Sequence, residues 1–498
     1  MKLRRPMHAA LSRRQLLKGM ALGGAMATMP WSRRALAQSA QRPNNRKFLI
    51  VIAAAGGASI IDSFLAVRAS QCSRADELNT FPDAMVQQIG EFTAIDQELR
   101  NLGPLPYRGS AEQSGFVQRH QSDMMVVTCT GTSVTHQIAQ KRALTGNDAW
   151  GGRTLQEAVS ASYGEGLPLP NVNMGFAGYQ EPGIDRSLPA WARHELVGDA
   201  RRWGLGLDGM RGIESAPARS LVEMARRTRD ERLQPASPFV RTFGASEALG
   251  RFMQNRREKQ PALETANYME RLNILRSGPA TPFDEFGIGS AEEAALVQQV
   301  FPNTANDPFE AQAALAYMLL VKDVTATVTI GPGFSPIVEA DRGVNVETPP
   351  LAFDFSHSGH RATQALMWSR VLGVMDRLIG LLQNIEYKNG ESFWDHTMMY
   401  VATDFGRTRN RPSGADEFSS GHDLNNGFLV VSPLVNGGRV LGGVDPETTM
   451  TYGFDPTTGD PQTGRNMEEK EIYAGLVQAL GINPPGNILP DVPAMRRG

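Results

Sequence analysis

Five stretches of the chain are apolar almost without interruption and end in glycine, proline or an acidic residue. They are "KFLIVIAAAGG" (47–57), "DMMVVTCTGT" (123–132), "VTATVTIGPG" (324–333), "HTMMYVATD" (396–404) and "NGFLVVSP" (426–433). Unbroken apolar runs of this length, bounded by turn residues, predict strands covered on both faces. Between them the period changes. Met367, Val371, Val374, Leu378, Leu382 and Ile385 fall on one face of a predicted helix. Strands alternating with amphipathic helices predict a three-layer α/β domain with a largely parallel central sheet.

Two regions depart from this pattern. Residues 165–305 carry few strand-like runs and many arginines, as in "ARRTRDERL" and "QNRREKQ", and Ala262, Ala266, Met269, Leu272 and Leu275 suggest helices. This reads as a helical insertion or cap, its arginines interspersed with Asp and Glu as on a solvated face. At the other extreme, "LSRRQLLKGM" sets Arg13 and Arg14 before a weakly apolar run, and "ALA" closes it at 35–37. A charged start, a short apolar stretch and a small-x-small site describe a cleaved export signal. The arginine pair followed by Gln15, Leu16, Leu17 and Lys18 resembles the twin-arginine type. The expected organisation is therefore a signal over 1–37 and one α/β domain over 38–498. The expected partner at this end is the twin-arginine export machinery, and the expected location is the periplasm or beyond.

Charge then narrows the function classes. Residues 1–37 hold eight Lys/Arg and no Asp/Glu, so the remainder has 42 basic against 52 acidic residues, a net charge of −10. An extended nucleic-acid footprint needs a basic face, which this balance argues against. No later segment reaches the roughly 18 continuous apolar residues of a membrane span. Cys72 and Cys129 offer one disulfide in an oxidising compartment, or a buried thiol at Cys129 beside "MMVV".

In an open α/β sheet, ligands bind beyond the carboxyl ends of the strands. The polar residues placed there are Asp62 after the first strand and Thr130, Thr132, Thr135 and His136 after the second. Asp354, His357 and His360 follow the third, Asp404 the fourth, and His422 and Asp423 precede the fifth. Carboxylates and imidazoles from several strand ends suit a divalent cation, because each supplies a lone pair from its own direction. "DFG" at 404–406 lacks the companion motifs of a kinase, and the glycine pair 56–57 lacks G-x-G-x-x-G spacing and reads as a tight turn.

"GGASIIDSF", "TH…AQ…LTG" at 135–146, "FWDHTMMYVATDFGRT" and the twin-arginine start together resemble exported bacterial proteins of the domain-of-unknown-function 1501 family. That family is related to the alkaline phosphatase and sulfatase superfamily. The resemblance covers the two ends of the chain and is weak across 165–305. It implies an alkaline-phosphatase-like fold, divalent cations (zinc, calcium or magnesium) and a hydroxyl nucleophile at a helix start. By the same resemblance Asp62, Asp354, Asp404 and His422 match metal ligands, with His357 or His360 as the partner of Asp354. Thr132 matches a T-x-x-x-H nucleophile, and Thr135, next to His136, competes for that role. Phe405 is the departure: relatives that hydrolyse phosphate or sulfate esters usually carry histidine there, and a phenyl ring coordinates no cation.

Two function classes follow. One is an exported metal-dependent hydrolase of an anionic phosphate or sulfate ester, with Arg407 contacting the anion through its planar fork or else locking the loop to Asp404 or Asp423. The other is a non-catalytic protein on the same fold that binds an envelope polymer or partner protein.

Overall fold

The structure, a computed structural model, describes residues 42–43, 45–95, 113–175, 177–201, 203, 219–247, 249–250, 252–254, 256–258, 268–274, 291–332, 352–412 and 415–497. The expected signal over 1–37 lies outside the described residues, as do 204–218, 259–267 and 275–290 of the middle region.

Eight strands form the central sheet: β1 (Phe48–Ala54), β2 (Met124–Thr130), β3 (Asn171–Asn173), β4 (Glu195–Leu196), β5 (Thr327–Ile330), β6 (Thr397–Thr403), β7 (Asn425–Val431) and β8 (Arg439–Leu441). Their spatial order is β8-β2-β7-β6-β1-β5-β3-β4. Every neighbouring pair is parallel except those of β7, which runs against both β6 and β2. The five long strands coincide with the five apolar runs. β3, β4 and β8 are two or three residues long and leave no such run. The region read as a helical insertion thus also supplies two strands to one edge of the sheet.

β1 shows why these runs carry no polar alternation. It lies between β6 and β5, and all seven residues are buried. Phe48, Ile50 and Ile52 face one core, and Leu49, Val51 and Ala53 face the other. The first core is closed by α1 (Gln113–His120), α4 (Ala294–Val300), α5 (Pro308–Val321) and α6 (His360–Gln383), the second by α2 (His136–Thr145), α3 (Leu155–Tyr163) and α7 (Glu469–Ala479). Helices on both faces of one sheet make the three layers.

The helices start where their sequences direct. Thr154 and Glu157 form a capping box at α3. Asp307 accepts from Phe309 N at the start of α5, with Pro308 in the first turn. In α6 the stripe Met367, Val371, Val374, Leu378 and Leu382 is buried, and Ile385, past the helix end, packs on the same core. Cys72 and Cys129 are both buried and free. Among the described residues no helix is long and apolar enough to cross a membrane.

The turn after β1 depends on its glycines. Gly56 and Gly57 have φ of +99° and +84°. A Cβ on Gly56 would lie 2.3 Å from Asp354 N, and one on Gly57 would lie 2.8 Å from Arg407 Nε. Backbone conformation and close approach both demand glycine. Gly56→Ala is expected to cost about 2–3 kcal/mol, since the new methyl meets backbone rather than a yielding side chain. Denaturant melts of the variant against the native chain measure it.

Candidate metal centre

The carboxyl ends of β1, β2, β5 and β6 open to one side, and β7, being reversed, begins on that same side. The segments leaving these ends carry the polar cluster. Asp354 and His357 sit on a 3₁₀ stretch, Ala352–His357. Residues three apart eclipse in a 3₁₀ turn, so the two side chains point the same way, with His357 Nε2 3.2 Å from Asp354 Oδ1. His136 opens α2, and its Nε2 lies 3.4 Å from the same oxygen. His422 lies opposite Arg407 in a short antiparallel ladder, Gly406–Arg407 with His422–Asp423, and places its Nε2 at 3.6 Å.

Asp354 Oδ1 is therefore approached by three imidazole nitrogens. His136, Asp354 and His422 each offer a ligand atom within 4.8 Å of the others, a group able to hold a metal ion. His357 lies beside this group, its Nε2 2.9 Å from that of His422. Ligands on bonds of about 2.0–2.1 Å in a tetrahedral zinc-type site lie about 3.3 Å apart. The separations of 3.4, 3.2, 3.6 and 2.9 Å bracket that value. Two imidazole nitrogens and one carboxylate oxygen fit an imidazole-binding first-row cation better than calcium or magnesium, which prefer all-oxygen sites.

The groups behind the ligands fix their lone pairs. His136 Nδ1 lies 2.7 Å from Asp404 Oδ2, and His422 Nδ1 lies 2.9 Å from Val134 O. Each contact places a proton on Nδ1 and leaves Nε2 facing Asp354. Asp404 is buried and receives further donors: Gly56 N at 3.1 Å, Gly57 N at 2.6 Å and Gln140 Nε2 at 3.2 Å. Its oxygens are occupied by protein donors, and it meets the cluster through His136.

Arg407 is also consumed. Its guanidinium donates to Asp354 Oδ1 at 2.7 Å, to Gly56 O, to Phe353 O at 3.3 Å and to Ser420 O at 3.3 Å. Of the alternatives read from sequence, the geometry shows a locking ion pair, with Asp354 as the partner rather than Asp404 or Asp423. Phe405 is fully buried, and its ring stacks on His422 with centroids 4.1 Å apart and lies 4.7 Å from His136. It forms the wall against which two candidate ligands rest.

The remaining sequence-selected residues lie elsewhere. Asp62 and His360 pair with one another, Oδ2 to Nε2 at 2.9 Å, in a fully buried position. Thr132 Oγ1 donates to Glu469 at 2.8 Å and accepts from Arg142. Thr135 precedes α2 without a side-chain capping bond. Asp423 accepts from Asn425 N. Sequence reading set His136 beside the cluster without counting it a ligand. The available signal was its placement four residues before Gln140, since both reach Asp404.

No protein-family profile and no curated protein matches the chain. Two solved structures of Ps i-CgsB are similar, one of them in complex with k-i-k-neocarrahexaose, each at 10% identity over 90% of this chain and 75% of the other. Their TM-scores are 0.28 and 0.29, too low to bear on the fold, which stands on the sheet order above.

Electrostatics follow from the packing. Burial alone would lower the His136 pKa, but hydrogen bonds and charge from Asp354 and Asp404 outweigh it and hold it at about 9. Burial would likewise raise Asp354, yet His136 and Arg407 keep it far below the carboxylate range. His422 is lowered by burial and by the neighbouring His136, Arg407 and His357, against the Val134 carbonyl. In metal-free protein, the raised His136 contributes stability that is full below about pH 6.5 and lost as the pH climbs through about 9. Melts of chelated native protein and His136→Gln between pH 6 and 10 should therefore converge as the pH rises. A second expectation concerns Phe405→His. It sets a polar ring in a buried slot between two imidazoles and Arg407, at a cost of about 1–3 kcal/mol. Denaturant melts paired with a cation titration test it, with lower stability and no gain in affinity expected.

Proposed function

We propose that the chain is an exported, metal-dependent hydrolase of phosphate or sulfate esters that works with a single cation. The observation that supports it is the convergence of His136, His357, His422 and Asp354 on one point with an open side. His357 is 45% exposed in its side chain, whereas purely structural sites are closed. A divalent cation held there supplies a Lewis acid for an ester oxygen. His136, His422 and Asp354, with His357 beside them, would hold it, Asp404 orients His136, and Arg407 keeps a permanent positive charge beside Asp354. Phe405 stands where relatives with a second cation carry histidine, which is why one cation is proposed. Of the two hydroxyls, Thr135 directly precedes His136, whereas that of Thr132 is engaged by Glu469. Export rests on Arg13, Arg14 and the residues after them, and membership of the 1501 family on the motifs of the two chain ends.

A specific observation favours the second reading, a non-catalytic protein that binds an envelope polymer. Arg407 and Thr132, the groups expected to act on an ester, both have protein partners already. Elemental analysis with a panel of phosphate and sulfate esters separates the two. The hydrolase reading expects about one equivalent of a first-row cation and turnover that drops at least 100-fold in Asp354→Asn and His422→Ala. Thr135→Ala reports whether its hydroxyl takes part. Bound cation without turnover on any ester supports the binding reading, and absence of a cation sinks the hydrolase.

A further inference from the structure

We infer that Asp62, His360 and Ser420 form a buried positioning chain that sets the spacing of the two ligand-bearing segments, 352–357 and 418–422. The inference rests on the metal reading above, though its three side chains bond elsewhere. Asp62 Oδ2 lies 2.9 Å from His360 Nε2, and His360 Nδ1 lies 2.8 Å from Ser420 Oγ. All three residues are buried. Both Asp62 oxygens also accept from Asn79 Nδ2, at 3.1 and 3.0 Å. The Phe418 ring stacks on His360 with centroids 4.7 Å apart, and His360 N donates to Phe418 O at 2.8 Å.

Ser420 is the junction. Its hydroxyl meets His360, its N–H donates to Ser356 O at 2.9 Å, and its carbonyl accepts from Arg407 at 3.3 Å. Ser356 lies between Asp354 and His357, while His422 is two residues beyond Ser420. Ser419 Oγ adds a 2.5 Å bond to His357 O. The distance between the Asp354–His357 turn and His422 is thus set through Ser420, and Ser420 is held in turn by an imidazole that Asp62 orients. A buried carboxylate and imidazole tolerate few geometries, because any displacement leaves a desolvated polar group without its partner. A chain of this kind transmits that rigidity to atoms several ångströms away. Asp62, an expected ligand in the sequence reading, becomes here a support for ligands.

Outer partners of metal ligands typically change affinity about 10–100-fold when removed. Co(II) titration of the full chain is the probe, because its visible bands report the ligand geometry as well as the affinity. Asp62→Asn and Ser420→Ala are expected to weaken Co(II) about tenfold and to shift its bands. Ser420→Thr, which keeps the hydroxyl, should return the native values. A merely structural role would lower the melting temperature of the metal-free protein and leave both readouts of the folded chain unchanged, and that result overturns the inference. Should Asp62→Asn fail to fold, Ser420→Ala decides alone, since it leaves the Asp62–His360 pair intact. Amide exchange in metal-free protein keeps the two readings apart. Faster exchange at the amides of residues 420 and 422 in the variants supports positioning even if the native chain binds no cobalt, and unchanged exchange rejects it.

Discussion

A carboxylate buried deep in the protein, that of Asp404, is the constraint on which the site depends. Such a group is costly to bury unless its lone pairs are filled. Here the donors are the N–H groups of Gly56 and Gly57 from the turn after β1 and two side chains of α2, His136 and Gln140. Two elements, the turn after β1 and α2, are pinned to the end of β6 by one residue. The positive φ values of Gly56 and Gly57 turn both N–H groups toward the same carboxylate, and the missing Cβ atoms make room for Asp354, Phe405 and Arg407.

Charge in the pocket is balanced by close pairing. Asp354 meets Arg407 at 2.7 Å, and His136 stands between Asp354 and Asp404. Without a cation, a proton on His136 reconciles two carboxylates on either side of one imidazole. The aromatic ring of Phe405 closes the wall with no charge of its own. This arrangement leaves one set of inward-facing nitrogens, and it makes Arg407 a fixed part of the protein frame.

The fold was legible where burial on both faces leaves an unbroken apolar run, as in β1, β2, β5, β6 and β7. It was illegible in β3, β4 and β8, where two or three residues pair at or near a sheet edge and carry no periodic signal. Strand-end logic also found the neighbourhood of the site, because chain topology brings Asp354, Asp404, His136 and His422 to one side. It did not distinguish a ligand from its support. Asp62 and Asp404 look alike in sequence, each an acid near the end of a strand. Only the third dimension shows Asn79 and His360 filling the oxygens of one, and Gly56, Gly57, Gln140 and His136 those of the other. Arg407 was ambiguous for the same reason, since its partner, Asp354, lies 53 positions away.

The reversed direction of β7 has a consequence for how such a protein can diversify. The chain leaves the sheet at Thr403 and re-enters it at Asn425 on the same side, so this excursion has both feet beside the pocket. Its feet carry Asp404, Phe405 and Arg407 on one side and Ser420 and His422 on the other, while Asn410, Pro412, Asp416 and Glu417 between them are exposed. Loop closure grows slowly with length, by about 0.6 kcal/mol for each doubling. The tip can therefore lengthen or change composition at small thermodynamic cost while the ligands at its base keep their places. Freedom to change and the fixed placement of the candidate ligands are thereby assigned to different parts of one loop.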